Sequence, residues 1–280
     1  MRVALFTAAA LVAFAANSIL CRLALRGGTI DPGSFSTIRF ASGAFVLTLL
    51  AARTRRPLLS TSGSWDLAVF LSLYALPFAF AYTRLSAGTG ALILFGAVQT
   101  TMVLLAIASG ERPRAVQWAG LLLAVSGLVY LVLPGLSAPP LGPALLMAVA
   151  GASWGFYSLR GRGAADPVAQ TAGNFVRSVP IILLGSVATF SKAHAEPRGI
   201  ALALASGIVA SGLGYVAWYA ALRGLTAMRA AVVQLAVPLI AAAGGVLLLS
   251  ETVTPRLVLA TVVVLGGIVM TILGGGRSAS

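Results

Sequence analysis

Charge is scarce in this chain. Only 9% of its 280 residues are charged, and six of them are acidic: Asp31, Asp66, Glu111, Asp166, Glu196 and Glu251. An average soluble domain carries about 25% charged residues. Apolar residues make up 59% and the mean hydropathy is +0.99, so the chain has too few polar groups to face water on every side, and its solvent is lipid. The single cysteine, Cys21, excludes an intrachain disulfide and a cysteine-built metal cage. The single histidine, His194, lies in a polar stretch and reads as a solvated loop residue. There is no G-x-x-x-x-G-K-[ST] loop and no H-E-x-x-H. The polar gaps are too short to hide a nucleotide-binding domain, so ATP hydrolysis within this chain drives nothing. No catalytic residue, cofactor or metal ion is expected.

What is present is basic charge and long apolar runs. The net charge of +13 would suit a nucleic-acid binder by count. The basic residues lie instead in short gaps between apolar stretches, as in membrane-protein loops, and no nucleic-acid partner is expected. A helix needs about 20 residues to cross the hydrocarbon. Ten stretches qualify: Val3–Leu25, Ser34–Ala52, Trp65–Thr83, Gly88–Ser109, Ala115–Leu133, Leu141–Leu159, Val168–Phe190, Ile200–Leu222, Ala227–Leu249 and Leu257–Leu273. Met1-Arg2, the first apolar run and Ala13-Phe14-Ala15 imitate a secretory leader. The run continues past that motif, and its removal would break the repeat described next.

The two halves match. Asp31-Pro32 opens the second span and Asp166-Pro167 the seventh, with Phe40 in register with Phe175 and Arg39 with Asn174. Further on, Leu85, Ala87, Glu111, Gly127 and Val129 meet Leu225, Ala227, Glu251, Gly267 and Val269. The expected fold is an all-α integral membrane protein of ten transmembrane helices in two five-helix repeats, residues 1–137 and 138–280. Five is odd, so the copies lie upside down to each other, the inverted-repeat logic of many secondary transporters. With the N-terminus in the cytoplasm, eleven basic loop residues fall inside and six outside, which puts both termini inside.

Ten spans, a five-helix repeat, Asp-Pro before the second and seventh spans, and Glu111 and Glu251 ahead of each final helix resemble the drug/metabolite transporter superfamily, and within it the EamA-type members. Ser153-Trp154-Gly155 matches a small–Trp–Gly step of the repeat's first helix, and Arg39 an arginine of its second. The first copy departs from the pattern with Asn17-Ser18-Ile19 at the Trp-Gly position. The resemblance covers nearly the whole chain and is nearest to bacterial exporters of aromatic and other neutral amino acids. It implies a transporter rather than an enzyme, in a bacterial inner membrane, with a small-molecule substrate.

A transporter site belongs between the repeats near the midplane. Trp154 and Tyr157 share one helix face, as do Tyr215, Trp218 and Tyr219 on another helix and Tyr74, Phe78 and Tyr82 on a third. Such aromatics can line a cavity or form interface belts. Gln99 and Asn17 are amides deep in spans, suited to a zwitterion or to an interhelical hydrogen bond. Substrate binding is therefore expected from Trp154, Tyr157, Trp218, Tyr215, Phe78, Tyr82, Gln99 and Asn17. Arg39 and Arg177 are the charges within spans; Arg39, about 9 Å from its span end, is within reach of snorkelling outward. An alternative function, transport of organic anions or phosphorylated solutes, requires both arginines to face one cavity. A remote third reading, an intramembrane enzyme, lacks any paired carboxylates or nucleophile–base pair within spans. No Asp or Glu stands near mid-span, which favours facilitated movement of neutral or zwitterionic solutes over proton coupling.

Overall fold

The computed structural model describes residues 2–53, 63–108, 110, 113–135, 137–161, 164–187, 189, 191, 193–225 and 233–274. They form ten helices: α1 (Arg2–Arg26), α2 (Pro32–Ala52), α3 (Trp65–Tyr82), α4 (Ala87–Ala108), α5 (Ala115–Val132), α6 (Leu141–Arg160), α7 (Pro167–Val187), α8 (Pro197–Leu222), α9 (Ala236–Leu249) and α10 (Pro255–Gly274). The Asp-Pro pairs explain two of the starts. Proline at the first helical position gives up an N–H that would have had no partner. The Asp31 carboxylate accepts the Ser34 N–H at 3.0 Å, and Asp166 accepts the Ala169 N–H at 3.1 Å. Each aspartate thus satisfies a donor the helix itself leaves open.

Two span expectations are adjusted. The seventh helix stops at Val187, short of Phe190, and the eighth begins at Pro197 rather than Ile200. The first half of the ninth span, from Ala227, overlaps residues 226–232, and Glu111 is also outside the described residues. No sequence signal anticipated the π-helical stretch Ser206–Leu213 inside α8. It lies where α8 presses on α2. A Cβ at Gly207 would run into the Arg39 carbonyl and the Ser42 hydroxyl, so only glycine allows these backbones to come so close.

Among the described residues seven helices (α1 to α5, α8 and α10) are long and apolar enough to cross a membrane. The surface confirms what that implies. Leu247 is 80% exposed and Leu184 74%, while Phe35, Phe40, Phe78 and Phe175 are fully buried. A chain apolar on both its outside and its inside is built for lipid. Helices α6 and α7 are less apolar because their inward faces carry Ser153, Tyr157, Thr171, Asn174 and Ser178.

The packing partners are α5 with α10, α2 with α7, α4 with α9, α3 with α6 and α7, α4 with α6, α8 with α1 and α2, and α9 with α1. At the α5–α10 crossing, Cβ atoms added at Gly120 and at Gly267 would each stand 2.6 Å from the other residue's carbonyl oxygen. Backbone-to-backbone contact of this kind is how apolar helices associate where lipid competes for every side chain.

Candidate functional site

The bundle encloses a cavity of about 1160 Å³. Its mouth is formed by Gly161, Ala164, Ala165 and Asp166 between α6 and α7, and by Leu222 and Arg223 at the end of α8. Its walls are aromatic: Phe14 from α1, Trp154 and Tyr157 from α6, and Tyr215, Trp218 and Tyr219 from α8. The rings form a connected set. Trp154 stands 5.0 Å from Tyr74, 5.4 Å from Tyr157 and 5.5 Å from Tyr215, and Phe14 meets Trp218 edge-on at 5.8 Å. Gln99 of α4 also lines the cavity; it is 8% exposed, and its side-chain amide bonds to no other described side chain or backbone group.

Past Trp154 and Tyr215 lies a chamber of about 40 Å³, which shares Phe14, Trp154, Tyr215 and Gln234 with the large cavity. Arg39, only 2% exposed, forms part of its wall. Although outward water is within its reach, Arg39 takes the other direction. The guanidinium turns into the bundle, where Nε donates to Ser211 Oγ and an Nη donates to the Tyr74 hydroxyl, both at 3.1 Å. It also lies 5.2–5.3 Å from the ring centres of Phe40, Tyr74 and Phe78. The π-helical stretch of α8 explains the turn, because it carries Ser211 to Arg39 and Ser206 to Asn17. Asn17 donates to the Tyr74 hydroxyl at 3.1 Å and accepts from Ser206 Oγ at 2.7 Å.

Beyond the chamber an ion pair links helix ends and connections. Arg22 pairs with Glu251 at 3.1 Å and donates to the carbonyls of Tyr82 and Thr83. The other Glu251 oxygen accepts the Ala87 N–H at 2.8 Å, at the positive end of α4. The Arg22–Glu251 pair thus ties the α9–α10 connection to α1, to α4 and to the end of α3. Beside it, Ile30 and Ala195 form an isolated antiparallel bridge, and Asp31 accepts the His194 N–H at 3.0 Å. His194, expected to be merely solvated, is exposed but its Nε2 lies 2.9 Å from the Gly28 carbonyl oxygen. Burial raises the Asp31 carboxyl, but hydrogen bonds from Ser34, His194 and Gly33 outweigh it and hold it below the usual carboxylate range.

Of the residues singled out from sequence, Trp154, Tyr157, Trp218, Tyr215 and Gln99 stand on the large cavity, and Phe78 and Asn17 on the small chamber. Tyr82 stands on neither. Two turns past Tyr74, about 12 Å along α3, it has passed the end of the chamber; it is fully buried, with its hydroxyl 3.4 Å from the Ala87 carbonyl and its ring against Gly90. Arg177 and Arg39 do not share a cavity. Arg177 donates to the Gly173 carbonyl of its own helix at 3.0 Å and lines neither space. Phe14 was missed because Ala13-Phe14-Ala15 drew attention as a leader motif, although an aromatic deep in an apolar span was signal enough. The clasp made by Arg22 left no trace beyond an arginine near a helix end.

The EamA-like transporter family model matches residues 1–133 and again 141–273. The chain belongs to the EamA-like transporter family. An uncharacterized protein of Pseudomonas aeruginosa is 50% identical to this EamA-like chain over 269 residues, 96% of it and 94% of the relative. More distant relatives are a "probable amino-acid metabolite efflux pump" of Salmonella typhimurium, 25% identical over 88% of this chain and 87% of that one, and one of the same description in Escherichia coli, 26% identical over 94% and 92%. A solved crystal structure superposes with a TM-score of 0.66 at 19% identity, over 96% of this chain and 99% of the other, and shows a shared fold. The family and the long apolar helices together make this a multi-pass membrane protein of a transporter family.

Proposed function

We propose that this chain is a secondary exporter or facilitator of small amphipathic metabolites, aromatic and other neutral amino acids above all, in a bacterial inner membrane. The observation that carries the reading is the aromatic cavity, open at one end of the bundle and clasped by the Arg22–Glu251 pair at the other. A flat ring slots between Trp154, Tyr157 and Trp218, and the amide of Gln99 offers both a donor and an acceptor to a zwitterion. The relatives described as amino-acid metabolite efflux pumps support the substrate class.

The mechanism is alternating access between two inverted repeats, residues 1–137 and 138–280. The packing supports it: α3 on α6 has its counterpart in α8 on α1, α4 on α6 in α9 on α1, and α3 on α7 in α8 on α2, five helices apart each time. Both termini lie in the cytoplasm by the excess of basic loop residues on that side. The mouth of the cavity, built from the α6–α7 connection and the end of α8, then faces the cytoplasm, and the Arg22–Glu251 clasp faces outward. The arrangement is the loading state of an exporter. The organic-anion alternative loses its premise, since Arg177 lines no cavity with Arg39.

Purified protein in liposomes, with equal pH on both sides and no ATP, tests this. A radiolabelled aromatic amino acid is expected to show counterflow, and Trp154→Ala to weaken it. Removing a stacking surface costs about 0.5–1.5 kcal/mol beyond lost area, or roughly 2- to 13-fold in affinity. Absence of counterflow for every neutral amino acid overturns the function. Unchanged counterflow in Trp154→Ala at equal protein overturns the site.

A further inference from the structure

Arg39 poses a problem that hydrogen bonds to neutral groups do not solve. It is 2% exposed, it sits among the rings of Phe40, Tyr74 and Phe78, and no carboxylate of a described residue pairs with it. A charge withdrawn from water without a counter-charge is costly, and charges retained inside membrane proteins mark substrate pathways. Cation–π contacts recover only part of that cost.

The donors point the same way. A guanidinium has five N–H groups, and two of Arg39's are engaged, by Ser211 and by Tyr74. The Tyr74 oxygen accepts from both Arg39 and Asn17, so its own proton remains to be donated. Arg39, with unused guanidinium N–H groups, and Tyr74, with an O–H left to donate, both line the chamber of about 40 Å³. A water needs about 10–15 Å³ by this measure. The chamber has room for a planar group of three heavy atoms but not for an aromatic ring, and the ring's place lies on the other side of Trp154 and Tyr215.

We propose that Arg39, at the blind end of the cavity, is the carboxylate-binding residue of the transport site, which restricts the substrates to molecules with a free carboxylate attached to an apolar or aromatic body. The proposal rests on the transport reading above and narrows its substrate class. A substrate carboxylate gives the guanidinium the counter-charge that the fold withholds, with two parallel N–H···O bonds as the favoured geometry. The neutral, shape-filling contacts of the aromatic cavity are then left to sort the side chain.

The test is competition against counterflow of radiolabelled phenylalanine in proteoliposomes, with unlabelled phenylalanine, phenylalaninamide and inorganic phosphate as competitors. Wild-type protein should be inhibited by the amide about tenfold or more less effectively than by the acid, because a charge-assisted pair is lost, and phosphate should not compete. In Arg39→Gln the acid and the amide should compete equally. An arginine serving only to brace α2 against α3 and α8 would weaken both competitors alike and leave their ratio as in wild type. If Arg39→Gln does not fold, the wild-type acid-to-amide ratio and an Arg39→Lys variant, in which the charge stays but the fork is lost, still decide. Equal competition by acid and amide in wild type, or stronger competition by phosphate, overturns the assignment while counterflow itself persists. Absence of any phenylalanine counterflow is instead the failure of the transport reading.

Discussion

Replacing Glu251 by glutamine should loosen the clasped end of the bundle by a calculable amount. The carboxylate makes two contacts, with Arg22 Nε at 3.1 Å and with the Ala87 N–H at 2.8 Å, and the pair is largely buried, with side chains 13% and 9% exposed. Hydrogen bonds involving a charged group contribute about 1.5–3 kcal/mol against about 0.5–1.5 for neutral ones. Glutamine keeps one acceptor oxygen, which can still bond Arg22, but turns the other into an NH2 donor, so one charge-assisted bond is lost, about 1.5–3 kcal/mol. That is less than the 3–5 kcal/mol for removing a buried partner outright, because Arg22 retains the Tyr82 and Thr83 carbonyls. At 1.4 kcal/mol per factor of ten, the open fraction at this end should rise about 10- to 150-fold. Cys21 is a built-in reporter: it is the only cysteine, fully buried and beside Arg22 in α1. Labelling of Cys21 by a membrane-impermeant maleimide added from the clasped side should accelerate by that factor in Glu251→Gln. If the variant labels at the wild-type rate, and labels completely once denatured in detergent, Glu251 does not hold this end closed and the reasoning fails.

Two further outcomes follow from local geometry. Gly267→Ala would bring a Cβ to 2.6 Å from the Gly120 carbonyl and 2.5 Å from the Ala124 nitrogen. It should cost about 1–3 kcal/mol of stability, seen as a lower apparent melting temperature in detergent, with the acid-to-amide discrimination unchanged because neither α5 nor α10 lines the cavity. Asp31 has a folded pKa below its ordinary 3.8, so its contribution to the joint between the α1–α2 and α7–α8 connections is fully present above that value and is lost as pH falls through the lower folded value. Hydrogen-exchange protection of the Ser34 and His194 amides, corrected for intrinsic rates, should fall there in wild type, and Asp31→Asn should show no such step.

The arrangement of apolar runs and polar gaps determined the helices almost by itself. A backbone in lipid has to satisfy its own hydrogen bonds, so an apolar stretch of about 20 residues has few options. Asp31-Pro32 and Asp166-Pro167 announced helix starts because capping is a local affair of three or four residues. The aromatic faces were likewise legible, since residues three and four apart on one helix must share a side. What the sequence left open was which of those faces meet. Tyr74, Phe78 and Tyr82 lie on one stripe, yet only the tertiary structure decided that the first two bound the chamber and the third is packed beyond its end. The direction of Arg39 was equally undetermined, because a flexible side chain can reach either water or the bundle interior. It is settled by Ser211, 172 residues away, which the π-helical stretch of α8 delivers within 3.1 Å. The same holds for Arg22 and Glu251, which are 229 residues apart and have no meaning as a pair until α1 and the α9–α10 connection are brought to the same end. Hydrophobic periodicity is a property of neighbours along the chain. Cavities and clasps are properties of helices packed together, and only folding creates them.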